Sequence, residues 1–201
     1  MKNRIAGIIL VCLAVAMLFG WLLSSMPVRG EKVAAELEEY QAWPEEVVEA
    51  ANGVPVQEDG RVKPLATLGR FHLMSLSGKG KAYYQDEEGK PVVMNSTEWI
   101  LDCLFRPSYA ASMKVFLVED SIVLEELGMP GEKIGKRRDL YSYRELVPYK
   151  DRLLELTLLA DQSDRQGVKL SELQRKMRTL RDKFISFEDV TGTFAYAPQS
   201  V

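Results

Sequence analysis

Arg61, Lys63 and His72 are the residues whose types and spacing offer chemistry, and all three fall in one stretch, VQEDGRVKPLATLGRFHL (Val56–Leu73). Arg61 and Lys63 alternate with Val62, so on a strand both bases point to one face. There they could bind a carboxylate, a phosphate headgroup or a haem propionate. The same pattern would also guard an edge strand by charge. His72, the only histidine, keeps step with Leu65, Leu68 and Leu76 along an apolar helical stripe. It reads as a packed histidine with one satisfied nitrogen; the sharper alternative is a haem or metal ligand. A metal site needs several ligands, and no second histidine or paired cysteine accompanies it.

Other chemistry-bearing residues are sparser. Glu98 and Asp102 stand one helical turn apart, but no nucleophile, base or oxyanion donor joins them, so both read as surface charge. Cys103 lies among Ile100, Leu101, Leu104 and Phe105 and reads as a buried apolar thiol, while Cys12 falls in an apolar N-terminal run. Lys136-Arg137-Arg138 reads as a solvated loop, with anionic lipid as its alternative partner. The chain has no Gly-rich phosphate loop, no Ser/His/Asp set and no Cys-x-x-Cys-His haem attachment site. These patterns point to a non-enzymatic protein with no metal site.

The elements that must position these residues follow from local signals. Asp59-Gly60 is a hairpin-turn dipeptide between short extended arms, Pro55–Gln57 and Arg61–Lys63. Pro64 then opens a helix over Leu65–Leu76, ended by Ser77-Gly78. Upstream, Val33, Leu37 and Tyr40 are helically spaced within Glu31–Trp43, which predicts a helix, and Pro44–Gly53 predicts another. Lys79–Val93 reads as a loop or hairpin around Glu88-Gly89. Asn95 with Glu98 forms a capping box for a helix through Leu104, and KVFLV (Lys114–Val118) is the best strand. Asp120 caps a short helix that stops at Gly128. A second capping box, Ser142 with Glu145, predicts one long helix through Leu159. Leu173, Met177, Leu180 and Phe184 predict an amphipathic helix over Leu170–Phe187, which would form an αα-hairpin with its predecessor.

The expected fold is mainly α with a small β component (α+β). The chain has 201 residues, 46% of them hydrophobic, enough for one modest domain with appendages. Ile5–Leu23 carries no charge and as a helix would be roughly 28 Å long, close to a bilayer core. This predicts a single transmembrane anchor, with Lys2 and Arg4 holding the N-terminus in the cytoplasm and the rest extracytoplasmic or periplasmic. A cleaved signal peptide is the competing reading. Without Lys2 and Arg4 the chain keeps 24 basic and 29 acidic residues, which excludes the basic character of a nucleic-acid binder. The expected division is an anchor at 1–25, a helical juxtamembrane linker at 26–52, an α+β domain at 53–148, and a helical hairpin with tail at 149–201.

PVQEDGRVKPLATLGR resembles a block in extended members of the CcsA/ResC-type cytochrome c assembly proteins. The matching residues are Gln57, Gly60, Arg61, Lys63, Pro64, Leu65 and Thr67. WILDCLFRP (Trp99–Pro107), KVFLVED and LYSYREL are similar to later blocks, so the resemblance spans roughly residues 53–148. Ala66 stands where the family has an acidic or amide residue, and the family's Trp-x-Trp-Asp haem loop is absent. The resemblance implies an accessory region of c-type cytochrome biogenesis, as a separate subunit or part of a longer protein. It would hold no cofactor itself and would scaffold haem delivery or position the apocytochrome. Its partners would be a multi-helix haem-handling membrane protein or apocytochrome c, with Arg61, Lys63 and Thr67 as binding residues; His72 lies outside the matching residues and is the candidate haem contact on its own chemistry. An envelope adaptor unrelated to haem is the alternative.

Overall fold

The structure, a computed structural model, describes residues 34–58, 60–135 and 139–192. Helix α1 (Glu45–Asn52) leads into the hairpin of β1 (Pro55–Glu58) and β2 (Arg61–Pro64), then α2 (Leu65–Ser77). A second hairpin, β3 (Lys81–Gln85) and β4 (Pro91–Asn95), precedes α3 (Ser96–Phe105) and α4 (Pro107–Ser112). Strand β5 (Lys114–Val118), α5 (Ser121–Glu126) and β6 (Asp139–Ser142) follow, then α6 (Tyr143–Leu146), α7 (Lys150–Arg165) and α8 (Glu172–Gly192). The three antiparallel strand pairs are β1–β2, β3–β4 and β5–β6.

Local chemistry accounts for most boundaries. Glu58 pairs with Arg61 across a two-residue turn in which Gly60 takes φ 73°, a conformation that suits glycine. Gly78, at φ 70°, closes α2 in the left-handed cap conformation. Asn95 accepts from the backbone of Thr97 and Glu98 while the Glu98 carboxylate accepts from the Asn95 N–H, a complete capping box at α3. Ser142 and Glu145 form the second box.

Packing joins these pieces into one core around Trp99, Phe116, Leu73 and Leu76, all fully buried. Helices α2 and α3 touch where Gly69 meets the Ser96 carbonyl and Ile100; a Cβ at Gly69 would collide with both. Helix α8 delivers Phe184 and Phe187 to Phe116, each with ring centroids 5.4 Å apart, and Tyr143 stacks on Phe187 at 5.0 Å. Its basic residues are paired, Arg181 with the neighbouring Asp182 at 3.0 Å among other contacts. Arg178 and Arg181 pair with Asp161 on α7, at 3.0 and 2.7 Å, and Lys176 pairs with Asp120 at 2.8 Å. Lys183 donates to the carbonyls of Leu76 and Leu117.

Three expectations are corrected. The fold class with a transmembrane helix at its head is overturned: among the described residues no helix is long and apolar enough to cross a membrane. The longest, α8, is amphipathic, with Arg175, Lys176, Arg178, Arg181, Asp182, Lys183, Glu188 and Asp189 along it. The apolar run Ile5–Leu23 lies outside the described residues, as does Lys136-Arg137-Arg138. What the described residues form is an α+β arrangement with small sheets.

The second correction concerns Glu31–Trp43. Residues 34–43 are extended or turned, because Ala35 pairs in parallel with Tyr84 and tertiary contacts claim Tyr40 and Trp43. Third, the long helix opened by Ser142 is broken. Pro148 removes a backbone donor, and a 3-10 turn at Val147–Tyr149 separates α6 from α7.

Candidate functional site

An apolar groove of about 970 Å³ runs beside the first hairpin. Val56, Gln57 and Glu58 of β1 form one wall, with Ala51 and Val54 at its upstream end. The floor is Leu65, Leu68 and His72 of α2 with Leu101, Leu104 and Phe105 of α3. The opposite wall is one stripe of α8: Asp182, Ile185, Ser186, Asp189 and Val190. Those positions step by three and four residues, so a second helical face, distinct from the core-facing Phe184 and Phe187, is turned to the groove. Phe105 is 57% exposed and Ile185 45%, so solvent reaches large apolar side chains here.

A hydrogen-bonded set ties the two walls to the floor. Glu58 Oε1 lies 2.7 Å from His72 Nε2, and His72 Nδ1 lies 2.9 Å from Ser186 Oγ. An ionised carboxylate only accepts, so Nε2–H donates to Glu58, while Nδ1 shares a hydrogen bond with the Ser186 hydroxyl. Lys63 Nζ pairs with the other Glu58 oxygen at 2.6 Å and lies 5.6 Å from the centre of the Phe71 ring. Burial works to raise the Glu58 pKa, but hydrogen bonds from Lys63 and His72 outweigh it and hold the carboxyl below its ordinary 4.5.

The sequence candidates therefore separate. Lys63 and His72 are brought together by Glu58, which sequence reasoning passed over as a turn residue. Arg61 is exposed beside the turn, and the intervening Val62 is 71% exposed, so the hairpin tip projects into solvent. Thr67 is half-buried on α2 and does not line the groove. Both His72 nitrogens are hydrogen-bonded, correcting the reading of one satisfied nitrogen; iron ligation would require breaking one of the two contacts. Among the described residues the lining includes three carboxylates and no Lys or Arg to meet haem propionates. Ser186 was not singled out in the sequence, although its spacing from Asp182, Ile185 and Asp189 marks a polar stripe on α8.

Asp102 is the largest correction to the candidate residues. It is fully buried rather than a surface charge, because the chain at 40–43 folds over it. Tyr40 Oη and Trp43 Nε1 each donate to its carboxylate at 2.9 Å, and Arg106 approaches at 2.6 Å. The Arg106 guanidinium lies 3.9 Å from the Trp43 ring centre and donates to the Gln41 carbonyl. Burial raises the Asp102 carboxyl against the opposing pull of Arg106 and its donors, and burial with the facing carboxylate pushes the Tyr40 phenol up. This closed cluster is a clamp on the 34–43 arm.

Cys103 is also fully buried, and burial pushes its thiol well above its ordinary value, the opposite of an activated nucleophile. Among the described residues no group of three or more His, Cys, Asp or Glu side chains could hold a metal ion. Together these arrangements offer binding through an open apolar surface, with charge at its edges. No family model, curated protein or solved structure matches the chain.

Proposed function

We propose that this chain is a non-enzymatic accessory domain of c-type cytochrome biogenesis that holds an assembly partner in the groove above α2. One observation carries the reading. The stretch that resembles cytochrome c assembly proteins supplies Val56, Gln57, Glu58, Leu65 and Leu68 to the groove lining. A recognition surface built from that block would tie the resemblance to a binding role. The partner is a multi-helix haem-handling membrane protein or apocytochrome c, and haem stays with the partner.

Affinity purification with the full chain as bait tests this directly. Recovery of a haem-handling membrane protein or an apocytochrome, lost in Ile185→Ser and retained in Leu158→Ser, is the expected result. Leu158 is an exposed apolar residue on α7 that does not line the groove. Normal c-type cytochrome levels after deletion of the gene overturn the proposal. Recovery of an unrelated envelope complex would favour the adaptor reading instead.

A further inference from the structure

Helix α7 presents apolar surface on the side turned away from the core. Its inner face is Leu153, Thr157 and Ala160, all buried. On the outer side Leu154, Leu158 and Leu159 are 40, 59 and 54% exposed. Leu158 is the centre of this stripe. Asp151 stands seven residues before it and Arg165 seven after, two helical turns each way and on the same side of the helix. Both charges are exposed, and neither side chain has an ion-pair or hydrogen-bond partner among the described residues. The stripe is distinct from the groove, none of whose lining residues belongs to α7.

We propose that α7 packs antiparallel against α7 of a second copy of this chain, on a two-fold axis through Leu158. A two-fold interface is self-complementary: where residue i of one copy meets j of the other, j also meets i. With the axis at Leu158, Asp151 of each copy meets Arg165 of its partner, and the two unpaired charges are satisfied twice over. Leu158 meets itself, and Leu154 lies against the alkyl part of Gln162. Parallel pairing in register would instead set aspartate on aspartate and arginine on arginine, so the charges select the antiparallel arrangement. The register also places Glu155 opposite Asp161, both acidic. Each already carries its own arginine: Arg152 lies 2.8 Å from Glu155, and Arg178 and Arg181 lie 3.0 and 2.7 Å from Asp161. Burial of the exposed leucines from both copies supplies the apolar driving force.

The test is disulfide cross-linking of the full chain carrying Cys12→Ser, since Cys103 is buried. Leu158→Cys in this background should form an interchain disulfide under mild oxidation, because the two copies of position 158 meet on the axis. Leu154→Cys is the exposed control. Its two copies would lie eight residues, or about 12 Å, apart along the helix, beyond the ~7 Å that a disulfide spans, and should cross-link at least about tenfold more slowly. Adding Asp151→Arg or Arg165→Asp to the Leu158→Cys chain turns both cross-pairs into like charges and should slow cross-linking about tenfold. An equimolar mixture of those two charge-reversed chains regains both opposite-charge pairs, and should return to within about twofold of the parent rate. Cross-linking no faster at 158 than at 154 overturns the proposal, as does a charge reversal without effect. A mixture as slow as its components also overturns it. All the substitutions are at exposed positions, and circular dichroism matching the unsubstituted chain assigns the changes to the interface.

Discussion

Asp102 and Glu58 each gather polar side chains from distant parts of the chain, yet the two clusters serve opposite ends. Asp102 has no exposed surface and is enclosed by Tyr40, Trp43 and Arg106. Glu58 keeps about 30% of its side-chain surface open and holds His72 and Lys63 at the side of a groove. A fully desolvated carboxylate persists only when every partner is in place, so its cluster is closed and structural. A partly solvated carboxylate can lose a partner to water at small cost, so its cluster can face a ligand. Accessibility, more than the number of hydrogen bonds, separates the clamp from the binding surface.

The largest effect that sharpens this contrast is expected at the clamp. Asp102→Ala should cost about 3–5 kcal/mol, the range for removing one partner of a buried charged pair. Denaturant unfolding measures it, and a loss below about 1 kcal/mol would break the comparison by making the two carboxylates equivalent. Next is Gly69→Ala at the closest approach of α2 to α3, where the new Cβ would press on the Ser96 carbonyl and Ile100. Forcing the helices apart should cost about 1–3 kcal/mol in the same assay.

At the groove the stability changes should be smaller. Glu58→Gln keeps the side-chain shape and should cost under about 1 kcal/mol, while removing one of the groove's carboxylates. Its pH signature has a definite sign. The folded pKa of Glu58 is lowered from 4.5, so its stabilisation is complete above 4.5 and is lost as pH falls through the folded value. The stability difference between the unsubstituted chain and Glu58→Gln should therefore shrink on acidification below 4.5. A difference that stays constant or grows would remove Glu58 from the ion-paired set.

The smallest expected signal is chemical. Cys103 is fully buried with a raised thiol pKa, so a thiol reagent at neutral pH should leave it unmodified in the native chain and label it in denaturant. Rapid native labelling would show that the core beside Asp102 opens readily, contrary to a closed clamp.

Much of the local structure was legible from neighbouring residues. Asn95 with Glu98 and Ser142 with Glu145 announced helix starts, Gly78 a helix end, and KVFLV a strand. Pro148 carried the signal for the break between α6 and α7, but the run of leucines around it obscured that signal. Residues 34–43 were misread because the spacing of Leu37 and Tyr40 suits a helix, whereas pairing with β3 and binding to Asp102 reward an extended path. The site was legible only in part: its hairpin and His72 stand in one stretch, but Ser186 is 114 residues further along.

Caps, turns and apolar periodicity follow from interactions within a few residues, and for that reason the amino-acid sequence alone determined where most helices and hairpins of this protein form. Only the tertiary structure decided which acids are interior and which apolar faces remain open. Asp102 meets Tyr40 and Trp43 across 62 and 59 positions, and desolvation then turns a plain helical aspartate into a structural clamp. Likewise α8 buries Phe184 and Phe187 but leaves Ile185 beside a carboxylate-edged groove, a division set by what packs against each of its faces.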